Sequence, residues 1–325
     1  MKKVLLIATG GTIASRKTEY GLSPSITPEE LLRYIPDAKE ICSIDTIQPF
    51  SVDSTNISPD HWLRLVQIIE ENYEKYQGFV ICHGTDTMAY TAAALSYLIQ
   101  NTSKPIVLTG SQRPIDEDST DAKTNLLDSL RFAAGYESGV VIVFGGNIIA
   151  GTRAKKVRTK SYNAFTSINF PEIGVIHPGR VVRYIPFEKK GDVCFYHSLS
   201  RRVQLLKLTP GMPAEALSAV GELCDGLIIE SYGVGGIPDI YLPQLEALIR
   251  SGKTVVMATQ VDREGSDLAI YKVGHKLKKE FRLLETFDMT PESTVTKLMW
   301  ALGQTDDKEE VRRLFCQSIN YDMLF

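Results

Sequence analysis

Four short apolar runs, each ending on glycine or a small polar residue, constrain the fold of this chain most. They span residues 4–8, 79–82, 106–109 and 140–144. They lead into Gly10-Gly11, Gly84-Thr85, Gly110-Ser111 and Gly145-Gly146. The runs are rich in Val and Ile and apolar at nearly every position, the pattern of parallel strands buried on both faces. The small residues behind them are the chemistry of strand-to-helix turns. Helix signals lie in between. Thr27-Pro28-Glu29-Glu30 is a capping box with Pro at the first helical position. Ser58-Pro59-Asp60 opens another helix, in which Trp62, Leu65, Val66, Ile69 and Tyr73 share one face. Residues 88–99 are Ala-rich and continue directly from Gly84-Thr85-Asp86. Strands alternating with helices predict an α/β fold with a doubly wound, mostly parallel sheet.

The pattern loosens between residues 161 and 208, where Pro171, Pro178, Gly179, Pro186 and Gly191 interrupt it. It resumes with strands expected at 226–230 and 254–258, a helix at 242–250 between them, and a late helix capped by Thr290-Pro291-Glu292. This predicts a larger N-terminal domain at 1–186, a linker at 187–205 and a smaller α/β domain at 206–325. Lys276-Leu277-Lys278-Lys279 reads as the solvated face of a helix.

Composition narrows the functional classes. With 325 residues, 43% hydrophobic and 23% charged, the chain has ample material for one large or two medium cores. A formal net charge of −3 is too small to point to nucleic acid or an anionic membrane as partner. No apolar stretch approaches the roughly 20 residues a membrane helix needs. Met1-Lys2-Lys3 followed by apolar residues briefly resembles a signal peptide, but Gly10-Gly11 breaks the run too early. A cytoplasmic location is therefore expected. Five scattered cysteines, never in a Cys-x-x-Cys pair, argue against a disulfide framework and a structural zinc site. Cys82, inside an apolar run, is expected to be an inert buried thiol. No zinc-protease His pair, Walker loop or dinucleotide glycine pattern occurs, so no metal or cofactor is expected.

The chemistry-bearing residues sit on the turns. Thr12 and Thr85 each stand at a strand tip beside glycine, and Asp86 follows Thr85. If the two strands share a sheet, these residues open into one crevice beyond the carboxyl ends, where ligands bind in such folds. Two hydroxyls and a carboxylate suggest nucleophilic hydrolysis. A Thr hydroxyl is a poor nucleophile unless a partner takes its proton, and a carboxylate of pKa ~4 is a weak base for this. A desolvated lysine serves better. The basic stretch Arg153-Ala154-Lys155-Lys156-Val157-Arg158-Thr159-Lys160 is placed to supply one, and spacing does not say which. Taken singly, each of these features has an ordinary explanation: a tight turn, a solvated basic loop. His83 alone reads as a turn residue, since no Gly-x-Ser-x-Gly elbow accompanies it.

Taken together, the two turns resemble the signatures of the bacterial-type L-asparaginase family, in particular its cytoplasmic type I branch. They stand here as Thr9-Gly10-Gly11-Thr12-Ile13-Ala14-Ser15 and His83-Gly84-Thr85-Asp86-Thr87-Met88-Ala89-Tyr90-Thr91. Asp53-Ser54-Thr55, Thr109-Gly110-Ser111-Gln112, Gly151-Thr152-Arg153 and the following residues to Lys156, Glu230-Ser231-Tyr232-Gly233 and residues 298–304 extend the resemblance almost end to end. It implies a two-domain α/β fold with a flavodoxin-like C-terminal domain. It implies hydrolysis of L-asparagine to L-aspartate and ammonia, and a homodimer or homotetramer. By the same resemblance Thr12 is the acyl-enzyme nucleophile, and Thr85 works with Lys156 and Asp86. Asp86 takes the substrate α-ammonium. Ser54 takes the α-carboxylate, with Asp53 and Thr55 beside it.

Two positions depart from the family pattern. Where many relatives carry a loop tyrosine that helps activate the first threonine, the ungapped position is Leu22 and the nearest tyrosine is Tyr20, a candidate lid residue. Gly236 replaces an asparagine of the small domain. Both departures bear on asparagine against glutamine preference. A glutaminase-leaning relative and a noncatalytic amino-acid sensor on the same fold are the competing readings. Relatives acting on amidated tRNA carry an extra N-terminal domain, and a sequence that starts on its first strand points away from them.

Overall fold

The computed structural model describes residues 1–19, 21–135, 137–187, 191–270 and 283–324. The chain divides into two compact units, Met1–His197 and Ser198–Phe325. Tyr20 and the Lys276–Lys279 stretch lie outside the described residues.

The first unit is built on an eight-stranded sheet of β1 (Lys3–Ala8), β2 (Ser43–Ile47), β3 (Gly78–Cys82), β4 (Pro105–Thr109), β5 (Gly139–Phe144), β6 (Asn147–Ala150), β7 (Gly174–Ile176) and β8 (Val181–Arg183). Their order is β8-β7-β6-β5-β4-β3-β1-β2. The pairs from β2 through β1, β3 and β4 to β5 are parallel. Those among β5, β6, β7 and β8 are antiparallel. Each of the four apolar runs expected to be a strand is one, and β3, β4 and β5 are buried at every residue.

The chain leaves β1 to build β2 on one side of it, then returns to build β3 on the other. Strand order therefore switches at the β1/β3 pair, where Ala8 lies opposite Cys82. In open α/β sheets ligands bind beyond the carboxyl ends of the strands at such a switch.

The helices start where the sequence places them. Thr27 caps Pro28–Arg33, its hydroxyl accepting from the Glu30 amide while the Glu30 carboxylate accepts from the Thr27 amide. Pro59–Asn72 buries Trp62, Leu65, Val66, Ile68 and Ile69 on one face. Met88–Leu98 buries ten of its 11 residues, all but Tyr90, which explains its small, apolar composition.

One expectation fails. Gly145-Gly146 does not lead into a helix: it is the two-residue turn of the β5–β6 hairpin. Both glycines have positive φ, 57° and 78°, which a hairpin turn of this kind requires and a side chain resists. Gly-Gly after a strand suits either turn, and the apolar run at 147–150 lets the chain fold straight back.

The second unit carries a parallel sheet of β9 (Val203–Lys207), β10 (Gly226–Ser231), β11 (Thr254–Thr259) and β12 (Leu284–Glu285) in that order. Helices Ala214–Glu222, Leu242–Arg250 and Pro291–Gln304 accompany it. Leu217, Leu227, Ile229, Leu245 and Met257 form part of its core. A fully buried ion pair, Lys297 to Asp322 at 2.7 Å, ties the C-terminal segment to the last of these helices. Among the described residues no helix is long and apolar enough to cross a membrane.

Candidate active site

Close backbone approaches bring three loops together beyond the carboxyl ends of β1 and β3. Gly10 lies against Val52, so that a Cβ there would come 2.5 Å from the Val52 carbonyl oxygen. Gly11 lies against the backbone of Gly84, and Gly84 against Ser54, where an added Cβ would meet Oγ at 2.6 Å. The glycines of both signatures are thus contact points as well as turn formers. They let the loop carrying Thr12, the loop carrying Thr85 and the 52–56 segment touch at backbone distance. The Gly11 amide also donates to the Val52 carbonyl at 3.2 Å.

Ser54 is buried and joins two of these loops. The Asp86 amide donates to its Oγ at 3.3 Å, and the Thr87 hydroxyl donates to its carbonyl at 2.7 Å. Asp53 shapes its own segment by accepting from the Thr55 amide at 2.8 Å and the Thr55 hydroxyl at 2.9 Å. Asp53 and Thr55 are therefore engaged with each other, while Ser54 faces the Thr85 turn.

Lys156 ends the short strand Ala154–Lys156, paired with Phe165–Ser167. Its Nζ donates to Thr85 Oγ1 at 2.7 Å and to Asp86 Oδ1 at 2.6 Å. Spacing left Lys155 and Lys156 open; the geometry selects Lys156. Its side chain is 17% exposed, while that of Asp86 is 57% exposed. The lysine is thus held inside and the carboxylate faces outward, where a cationic group of a small ligand can reach it. Elsewhere in the basic stretch, Arg153 is fully buried with its guanidinium 5.6 Å from the Phe170 ring, and Arg158 and Lys160 are exposed.

Thr12 opens a single 3₁₀ turn, Thr12–Ala14, that runs into the hairpin Ser15–Thr18 and Gly21–Pro24. Its neighbours are anchored, Thr9 Oγ1 on the Cys82 carbonyl at 2.8 Å and Ser15 Oγ on the Gly11 carbonyl at 2.9 Å. Among the described residues, no hydrogen bond engages the Thr12 hydroxyl itself.

Two residues given no site role from sequence belong here. Gln112, on the loop after β4, places Oε1 3.4 Å from Thr85 Oγ1. The sequence marked it only as the last residue of the family-like stretch Thr109-Gly110-Ser111-Gln112, just past a strand tip, with no role attached. His83 is fully buried, with Nδ1 2.7 Å from the Gly84 carbonyl and Nε2 2.9 Å from Thr91 Oγ1, which also accepts from Trp62 Nε1 at 2.9 Å. A carbonyl only accepts, so Nδ1 carries the proton and Nε2 accepts from Thr91. Burial pushes its pKa down to about 4 against the help of the Gly84 bond, and His61 adds a smaller push the same way. His83 is neutral and holds the Thr85 turn from beneath. Burial raises the Cys82 thiol to about 12, consistent with an inert core residue. Among the described residues, no three His, Cys, Asp or Glu side chains group as metal ligands.

The fold and site define an α/β protein in which, at a switch in strand order, the turn preceding Thr12 is pressed against the turn that carries a Thr–Lys–Asp cluster. The family model for the asparaginase N-terminal domain matches residues 3–186, and that for the glutaminase/asparaginase C-terminal domain matches residues 202–315. The chain belongs to the asparaginase family. It is 41% identical over 321 residues, 98% of each chain, to an L-asparaginase of Thermococcus kodakarensis. The solved structure of the thermostable L-asparaginase from that organism superposes with a TM-score of 0.94 at 39% identity, covering 99% of both chains. A probable cytoplasmic L-asparaginase from Campylobacter jejuni superposes at 0.85 with 25% identity, over 98% of this chain and 100% of that one. The chain is also 35% identical to a glutamyl-tRNA(Gln) amidotransferase component of Pyrococcus abyssi, over 97% of its own length and 75% of that protein's.

Proposed function

We propose that the protein is an L-asparagine amidohydrolase acting through a threonine acyl-enzyme. The observation that carries this reading is the placement of Lys156 Nζ on both Thr85 and Asp86, on a turn whose Gly84 is pressed against Gly11, next to Thr12. In the first step Thr12 Oγ1 attacks the side-chain carboxamide carbon. The C–N bond breaks, the hydroxyl proton goes to the departing nitrogen, and ammonia leaves. In the second, water adds to the acyl carbon, the ester bond to Thr12 breaks, and L-aspartate is released.

Binding follows from the charges of a free amino acid. Asp86, exposed and anchored by Lys156, takes the α-ammonium. Ser54 Oγ and the amides at the start of Met88–Leu98 favour the α-carboxylate. Asp53 and Thr55 support the Ser54 segment. The protein acts in the cytoplasm as a homodimer or homotetramer. A sensor of the same fold would need neither the free hydroxyl nor the lysine, so the enzyme reading is preferred.

The test is ammonia release from L-asparagine and from L-glutamine by wild type, Thr12→Ala and Thr85→Ala. Wild type is expected to release ammonia faster from asparagine, and each variant to lose at least ~10²-fold in kcat. Absence of release by pure wild type sinks the reading. Equal rates in wild type and Thr12→Ala sink the nucleophile assignment alone. Faster release from glutamine moves the substrate to the longer amide.

A further inference from the structure

We propose that Gln112 is a positioning residue that fixes the direction of the Thr85 hydroxyl, so that Thr85 can only accept a hydrogen bond from the water that attacks the acyl-enzyme. The inference rests on the proposed amidohydrolase function and deepens it. A threonine hydroxyl has one proton and two lone pairs. At Thr85, Lys156 Nζ donates at 2.7 Å and occupies one lone pair. An ammonium only donates, so the hydroxyl proton has to go elsewhere, and Gln112 Oε1 at 3.4 Å is its other polar partner among the described residues. One lone pair is left, and it is the only group Thr85 can present to an incoming molecule.

The amide of Gln112 cannot turn over and present its nitrogen instead. Nε2 donates to the Ser161 carbonyl at 3.1 Å and lies 3.5 Å from that of Arg158. A flipped amide would set Oε1 against both carbonyls. The backbone is held as firmly. The Gln112 amide donates to both carboxylate oxygens of Asp121 at 3.0 Å. That carboxylate is buried and also accepts from the Arg113 amide at 3.2 Å and Asn125 Nδ2 at 3.2 Å. Gln112 is thus clamped at its root by Asp121 and at its tip by the loop that follows Lys156.

The consequence falls on the second step. A water that donates one hydrogen to the free lone pair of Thr85 turns its own lone pair outward, toward an acyl carbon on Thr12. Its oxygen bonds to that carbon, the Thr12 ester C–O bond breaks, and one water proton returns to Thr12 Oγ1. Without an acceptor at position 112 the Thr85 proton is free to swing into the site. Thr85 then donates to the water and turns the wrong side of it to the ester.

The test is Gln112→Met, which keeps length and removes both the acceptor toward Thr85 and the donor toward Ser161 and Arg158, beside Gln112→Glu, which gives up that donor as well but keeps an acceptor toward Thr85. For Gln112→Met we expect kcat to fall ~10–100-fold and KM to fall with it, leaving kcat/KM within about threefold of wild type, because only the deacylation step is slowed. Mass spectrometry of acid-quenched turnover should show more protein carrying one aspartyl group than in wild type, because deacylation has become slow. Gln112→Glu should keep at least about ten times the kcat of Gln112→Met. A folded Gln112→Met with kcat within about threefold of wild type overturns the proposal. So does a loss confined to KM, or an equal loss in both variants, which would make Gln112 a tie for the 158–161 loop and nothing more. If Gln112→Met does not fold, Gln112→Leu takes its place under the same criteria. A wild type that releases no ammonia defeats the proposed function itself; an active wild type with an unaffected Gln112→Met defeats only this inference.

Discussion

The loops carrying Thr12 and Thr85 leave neighbouring parallel strands, carry glycine beside the threonine and touch through Gly11 and Gly84. Their surroundings are opposite. Thr85 stands at the root of a helix buried on almost every side, with its hydroxyl between Lys156 and Gln112 and a neutral histidine beneath its turn. Thr12 stands at the root of a hairpin whose Arg16, Lys17 and Thr18 are exposed, and its hydroxyl engages no partner among the described residues. A group that must form and break a covalent bond profits from an unencumbered oxygen. A group that must aim another molecule profits from being held. The same residue type serves both uses because the neighbours, not the threonine, decide its freedom.

Lys156 is the largest lever on this contrast after the threonines. Lys156→Met keeps the aliphatic stem and removes the charge. It leaves Asp86 without its cation and Thr85 with a vacant lone pair. The expected result is a ~10²–10³-fold fall in kcat/KM for asparagine, shared between kcat and KM because both Thr85 and the ammonium-binding carboxylate lose their anchor. A change below about fivefold in steady-state assays would mean that the pairing with Thr85 is a resting contact without a role in turnover.

Much of the contrast was legible in the sequence, and the part that was not has a physical reason. The four apolar strands, the capping box at Thr27 and the helix on Pro59 follow from local pattern, because burial on two faces leaves few residue choices; that the two Thr turns leave neighbouring strands depends on strand order, which local pattern does not give. The β5–β6 hairpin was missed because Gly145-Gly146 is equally good chemistry for two turns, and only the register of Phe144 with Asn147 separates them. Lys156 was distinguished from Lys155 by family resemblance, not by spacing, since alternate residues of a strand point to opposite faces and the sequence does not say which face meets the crevice. Gln112 stood in a family-like stretch, but nothing in the sequence assigned it a role. Its role arises from Lys156, Asp121 and the 158–161 carbonyls, which lie between 9 and 49 positions away along the chain.

A smaller effect is expected where the two loops are pressed together. Gly84 is not among the glycines with positive φ, so Gly84→Ala asks nothing new of the backbone. Its methyl would meet Ser54 Oγ at 2.6 Å and Cβ at 2.7 Å, and Ser54 has to move. Overpacking of this kind costs about 1–3 kcal/mol. Because Ser54 is assigned to the substrate carboxylate, KM should rise about tenfold while kcat changes less than threefold. An unchanged KM in a variant with lowered thermal stability would detach Ser54 from substrate binding.

The smallest effect is visible only in acid, and it separates the loops by what anchors them. The Thr12 loop is held by hydroxyls on carbonyls, Thr9 on Cys82 and Ser15 on Gly11, and neither titrates in the acid range. The Thr85 turn rests on His83, whose pKa burial lowers from 6.5 to about 4. Between those two values the unfolded chain binds a proton that the folded one refuses. The stabilisation is therefore complete above pH 6.5 and lost as pH falls toward 4, by about 3 kcal/mol in all. Urea unfolding of wild type and His83→Gln at about pH 7 and about pH 4.5 should show a steeper loss in wild type by roughly 2–3 kcal/mol. Gln can donate to the Gly84 carbonyl and accept from Thr91 as His83 does, so the comparison isolates the proton. Equal losses in the two proteins would mean that the imidazole takes up its proton in the folded state, and that the Thr85 turn is held by something other than a neutral histidine.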